Sequence, residues 1–111
     1  MCSIEGNLIL TETSKTCLSW CRSCNTFFLT YKNCCSLFVK NELWQFRDVL
    51  EELQEADYRF YLMGKWHTIV KNPQVRVGFC ITPEDTVLLK KTIEESLTLY
   101  EAYQVLYNTT N

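Results

Sequence analysis

Phe27-Phe28-Leu29-Thr30-Tyr31, a polar break at Lys32-Asn33, and Cys34-Cys35-Ser36-Leu37-Phe38-Val39 make up the stretch on which the fold turns. Aromatic and β-branched residues on either side of a short polar break are the signature of a β-hairpin, and Asn33 tolerates the positive φ that a tight turn asks for. Phe27, Leu29 and Tyr31 alternate with Phe28 and Thr30, so both faces of the first strand are apolar. Such a strand pair expects cover on both sides, a helix on one and another chain on the other.

Downstream of this hairpin the pattern changes period. Leu43, Phe46, Leu50 and Leu53 recur at spacings of three and four, with Trp44 and Val49 widening the stripe, which predicts a helix. Asn41 is placed to cap it and Glu42 suits its first turn. Glu51, Glu52, Glu55 and Asp57 are the wrong sign for a helix C-terminus, so the helix is expected to stop near Ala56. The run Arg59 to Gly64 fits the end of a helix, a short strand or a crossover equally well. Residues 65–70 and 75–81 read as a second hairpin around the turn signal Asn72-Pro73. In the later strand Val75, Val77, Phe79 and Ile81 share one face, and Arg76, Gly78 and Cys80 the other.

Thr82-Pro83-Glu84-Asp85 then combines an N-cap threonine, proline at the first helical position and acids in the first turn. Leu89, Ile93, Leu97, Tyr100, Tyr103 and Tyr107 continue at helical spacing with no Gly or Pro between. A helix of about 25 residues is about 37 Å long, against about 34 Å for the width of a compact chain of this size, so it spans the molecule or projects from it. The order gives an α+β fold: one antiparallel sheet from two β-hairpins with two helices on one face, a ββαββα pattern in a single domain, residues 1–111.

The 111 residues, 47% apolar with three Gly and two Pro, are enough for one globular domain with its own core. They are too few for a barrel enzyme or a full dinucleotide-binding domain. Eleven Lys and Arg against thirteen Asp and Glu, scattered apart from Lys90-Lys91, leave no basic stripe, so no nucleic acid partner is expected. Residues 1–10 lack the cationic start and apolar core of a secretion signal, and no run approaches the length of a membrane span. A cytoplasmic protein without a membrane partner is the expectation.

Seven cysteines stand at 2, 17, 21, 24, 34, 35 and 80. In a reducing compartment they read as metal ligands, reactive thiols or small apolar packing residues. Cys17, Cys21 and Cys24 share the spacing of the iron–sulfur motif of radical S-adenosylmethionine enzymes, whose partial barrel this chain cannot build. Zinc suits the trio better: two cysteines two residues apart can reach one tetrahedral ion. A fourth ligand would come from Cys2, His67 or Cys80, because the hairpin separates Cys24 from Cys34 and Cys35. Cys21 and Cys24 also carry the spacing of a thiol oxidoreductase, but they lead into a strand and not a helix. His67, the only histidine, is a conceivable partner for a nucleophilic Cys80 on the neighbouring strand.

Cys21-x-x-Cys24, then Phe28-Leu29-Thr30-Tyr31-x-Asn33, then Leu37 and the helix from Asn41 to Leu53, resembles the opening of a small bacterial family of uncharacterised proteins. The resemblance covers the first half of the chain and implies a fold and no activity. Together these readings favour a non-catalytic interaction domain, a homo-oligomer and in the simplest case a homodimer. The long second helix would carry the association surface, and its tyrosine stripe at 100, 103 and 107 reads as core or dimer contact. The alternatives are a zinc-binding domain using Cys17, Cys21 and Cys24, and a thiol oxidoreductase using Cys21 and Cys24.

Overall fold

The computed structural model describes residues 6–71 and 78–109. Four strands come first: β1 (Leu8–Glu12), β2 (Thr16–Cys21), β3 (Thr26–Tyr31) and β4 (Cys34–Phe38), paired in sequence order as an antiparallel sheet. Helix α1 (Lys40–Glu52) follows, then a single 3-10 turn at Glu55–Asp57. A second antiparallel sheet contains β5 (Phe60–Leu62), β6 (Lys65–Lys71) and β7 (Gly78–Ile81), and α2 (Pro83–Thr109) closes the chain. The class is α+β, in the order ββββαβββα. The two expected hairpins are present as β3–β4 and β6–β7; each has gained strands, and they lie in two sheets where one was expected.

The first hairpin has the expected two-residue turn, with Tyr31 opposite Cys34. The positive φ falls on Lys32, at 54°, one residue before the asparagine expected to carry it. Register across the sheet sets Trp20 opposite Phe27 and Phe27 opposite Phe38, with Leu18 opposite Leu29 and Thr16 opposite Tyr31. The period of two therefore gathers Leu18, Trp20, Phe27, Leu29, Tyr31 and Phe38 on one face, and all six are buried. Both helices cover that face. Phe46 of α1 packs on Phe38, with ring centroids 5.2 Å apart, and Tyr100 of α2 stands edge-on to Trp20 and Phe27 at 5.0 Å. From the second sheet, Val70, Phe79 and Ile81 close the same core.

Helix α1 begins one residue earlier than Asn41 and caps differently. The Glu42 carboxylate accepts the Val39 backbone N–H at 2.8 Å, which satisfies the helix entry without Asn41. It ends at Glu52, short of Ala56, and the acidic segment beyond it turns into the 3-10 element. Helix α2 starts as its signal predicts, with Thr82 Oγ1 accepting the Asp85 N–H at 3.2 Å. Leu89, Ile93, Leu97 and Tyr100 are its buried stripe. Its 27 residues run about 40 Å at 1.5 Å each, and the longest dimension of the molecule is 52 Å.

Hydroxyls line the contact between α2 and the first two strands. Ser96 Oγ donates to Thr11 Oγ1 at 2.7 Å. Thr92 donates its hydroxyl hydrogen to the Leu88 carbonyl, so at the 2.9 Å contact between Thr92 Oγ1 and Thr16 Oγ1 it is Thr16 that donates. Thr16, Thr92 and Ser96 are all buried. The expected positions of Val75, Val77 and the Asn72-Pro73 turn lie outside the described residues.

Candidate functional site

The cysteine trio does not converge. Cys17 and Cys21 are four residues apart on β2, on the face opposite the core, and a strand rise of about 3.3 Å per residue puts their Cα atoms about 13 Å apart. Two ligands of one zinc lie within a few ångströms of each other. Cys24 is exposed in the turn between β2 and β3, where its carbonyl accepts the Thr26 hydroxyl at 3.1 Å. Among the described residues no three His, Cys, Asp or Glu side chains are grouped so as to hold a metal ion. Cys35 lies level with Cys17 across Thr30, about 10 Å away over two strand spacings, beyond the reach of a disulfide. Burial, then the charges of Glu12 and Cys35, raise the Cys17 thiol above its ordinary pKa of 9.0, the opposite of an activated nucleophile. His67 is buried, with Nδ1 2.9 Å from the Lys65 carbonyl oxygen, and the residue paired with Cys80 is Ile69.

One carboxylate is buried among the described residues. Asp85, 3% exposed in the first turn of α2, accepts a very short hydrogen bond from the Tyr31 hydroxyl. Lys15, from the β1–β2 turn, and Lys32, from the β3–β4 turn, reach the same carboxylate at 3.4 and 3.8 Å. Burial works against its ionisation, but the Tyr31 hydroxyl and the two ammonium groups outweigh it and hold the carboxyl below its usual range. The phenol responds in the opposite sense: burial, then the Asp85 carboxylate, raise its pKa. This cluster ties two sheet turns to the head of α2, and its charges are spent on one another.

The exposed feature of the molecule is the β5–β6 hairpin. Phe60, Tyr61, Leu62 and Met63 are consecutive and between 46 and 89% exposed, and Trp66 across the turn is 54% exposed. Gly64 and Met63 both take positive φ to close the turn. Tyr61 pairs with Trp66, and the two rings meet edge-on at 5.1 Å. On β6 the residues alternate, so Trp66 lies on the same face as the buried Thr68 and Val70 and continues the core face past the edge of the core. Beneath it is an open groove. One part, of ≈ 290 Å³, is lined by Glu55, Tyr58, Trp66 and Pro83. A second, of ≈ 340 Å³, shares Glu55, Tyr58 and Pro83 and extends along Leu50, Leu53 and Val87.

None of these groove residues stood out in the sequence as site candidates. Their signal was there in the density of apolar side chains from Tyr58 to Trp66 around a single Gly64, in a segment that left strand and helix equally open. In the tyrosine stripe of α2, Tyr100 is buried against Trp20 and Phe27 and Tyr103 packs at the core margin, while the Tyr107 side chain lies outside the described residues.

Among the described residues no helix is long and apolar enough to cross a membrane. No curated protein and no solved structure matches the sequence. A family model does, over residues 1–75, which takes in the whole first sheet, α1 and the β5–β6 hairpin. The chain therefore belongs to the family of unknown function DUF6686.

Proposed function

We propose that the protein is a non-catalytic interaction domain that associates with a second copy of itself through the β5–β6 hairpin. The observation that carries this reading is the unbroken run Phe60 to Met63, exposed along a sheet edge with Trp66 beside it. Soluble chains protect an edge strand with shortness, charge, proline or a bulge; Phe60-Tyr61-Leu62 is three residues long and carries no charge, proline or bulge. Two such edges aligned antiparallel about Tyr61 would set Phe60 opposite Leu62 and Arg59 opposite Met63, with no like charges facing. The arrangement is self-complementary, as a twofold contact must be.

Area supports the same reading. An aromatic side chain can bury 150–250 Å², so Phe60 and Tyr61, about half exposed, with Leu62 and Met63, offer roughly 400 Å² per copy, or roughly 800 Å² between two, the size of a weak, transient contact. This moves the association surface from α2, where the sequence suggested it, to the hairpin. A reducing setting such as the cytoplasm agrees with the free thiols at Cys17, Cys24, Cys34, Cys35 and Cys80.

Sedimentation velocity across a concentration series tests the proposal. The wild-type chain is expected to shift from monomer to dimer in the micromolar range, and Phe60→Lys with Leu62→Lys to remain monomeric with an unchanged circular dichroism spectrum. A wild-type chain that stays monomeric to hundreds of micromolar would refute it.

A further inference from the structure

The smaller part of the groove is built like a receptor for a cation. Among the described residues its lining consists of two aromatics, Tyr58 and Trp66, one carboxylate, Glu55, and one apolar ring, Pro83. Three elements hold them in place. The 3-10 turn delivers Glu55 and Tyr58, β6 delivers Trp66, and the first turn of α2 delivers Pro83. Two of the walls are braced. Thr86 gives its hydroxyl hydrogen to the Thr82 carbonyl at 2.9 Å, so in the 2.6 Å contact with Tyr58 the phenol donates and its ring is fixed at the groove floor. Trp66 is supported from the side by the ring of Tyr61.

The surroundings are acidic. Glu51, Glu52, Glu55, Asp57 and Glu84 stand against Arg59, Lys65 and Lys90 in the segments that frame the groove. Lys90 is engaged with Glu51 at 2.6 Å, Arg59 Nε donates to the Ala56 carbonyl at 3.3 Å, and the Asp57 carboxylate accepts the Gln54 N–H at 2.8 Å. Glu84 is held ionised mainly by its own backbone N–H and the Thr82 hydroxyl, with Lys65 a smaller influence. Glu55 is the carboxylate in the pocket wall, beside the two aromatic side chains.

We infer that this pocket binds an organic ammonium ion whose charge is spread over alkyl groups, such as a quaternary amine or an N-methylated lysine side chain. Aromatic walls attract a cation through their quadrupoles. One carboxylate beside them supplies net charge; a guanidinium could pair with its two oxygens but would turn its other N–H donors toward rings and a proline. A trialkylated ammonium offers polarised C–H groups to the rings and asks for few hydrogen bonds, which is what this lining provides. A bare ammonium would give up more hydration for the same contacts. The inference does not rest on self-association: the groove is lined by Trp66 with residues of the 3-10 turn and α2 of one chain, while Phe60 and Leu62 occupy the side of the hairpin opposite Trp66.

Tetramethylammonium chloride titrated into the full chain, followed by the indole N–H resonance of Trp66, is the direct test, with Trp66→Phe assigning the signal and the Trp20 and Trp44 resonances reporting on folding. A saturable shift is expected with a Kd on the order of 1 mM, absent with sodium chloride at matched ionic strength. Glu55→Gln should weaken it by about three- to tenfold and Tyr58→Ala should abolish it. The same titration in Leu62→Lys, which disrupts the proposed β5 contact without touching the groove, should give the unchanged Kd and so separates this site from the oligomeric state. Tighter binding of an N-acetyl trimethyllysine amide would identify a protein side chain as the source of the cation, and equal binding a free amine. A Trp66 shift that tracks ionic strength alone, or a Kd that survives both Glu55→Gln and Tyr58→Ala, overturns the inference.

Discussion

Replacing Asp85 by Asn tests whether the buried carboxylate is a stabilising charge. The substitution keeps the side-chain shape and an oxygen for the Tyr31 hydroxyl, and removes the charge that Lys15 and Lys32 share. A hydrogen bond to a charged group contributes about 1 kcal/mol more than a neutral one. Two half-exposed lysine pairs add about 0.5 kcal/mol each after solvent screening. The expected loss at pH 7 is therefore about 2 kcal/mol, or about 8 °C in Tm at about 4 °C per kcal/mol for a domain of this size. The pH dependence follows from the sign of the shift. The folded-state pKa is depressed below the ordinary 3.8, so the stabilisation is fully present above about pH 5 and is lost as pH falls through 3.8 toward the folded value. Urea unfolding of both proteins at pH 7, 5, 4 and 3 should show two curves about 2 kcal/mol apart that converge at acid pH. A gap under 0.5 kcal/mol at pH 7, or a gap that persists unchanged at pH 3, would refute the reasoning.

Phe46, 1% exposed and stacked between Phe38 and Phe79, should cost about 3–5 kcal/mol as Phe46→Ala, read from denaturant midpoints at constant m-value. Ser19 carries a buried hydroxyl without a hydrogen-bond partner, so Ser19→Ala should be neutral or raise stability by about 1 kcal/mol, and a clear loss in thermal unfolding would mean the hydroxyl is satisfied in solution. In timed alkylation at pH 8 read by mass spectrometry, Cys17 should lag well behind the exposed Cys24, since burial raises its pKa and limits access; equal rates would contradict both.

What the sequence disclosed followed the strength of its periodicity. Thr82-Pro83-Glu84-Asp85 announced α2 because each residue acts locally, through its own backbone or the helix dipole. The β3–β4 turn was readable because a polar pair interrupts two apolar runs. In β2, Thr16, Leu18 and Trp20 alternate with Cys17, Ser19 and Cys21 as a strand should, but three cysteines at suggestive intervals draw the eye to ligand spacing. A pleated strand spreads residues four apart over about 13 Å, and the same intervals on a turn would have gathered them. The Phe60–Leu62 strand had no alternation to find, because all three side chains are exposed. Tyr58, in the groove beside Trp66, is placed by an acidic 3-10 turn whose form depends on where α1 stops, and that is a property of the whole fold.

The row of hydroxyls between α2 and the first two strands has a consequence at the far end of the helix. Apolar packing fixes the axial setting of a helix on a sheet through shape alone, and the bonds from Thr16 to Thr92 and from Ser96 to Thr11 add directional contacts that are met at one setting only. Thr92 is nine residues from Pro83, about 14 Å along the rod, so the seam acts as a detent that decides where the proline ring comes to rest beside Trp66. Valine in place of Thr92 would keep the volume and release the latch, and the tryptophan's surroundings would then be sampled at several offsets where the native chain holds one.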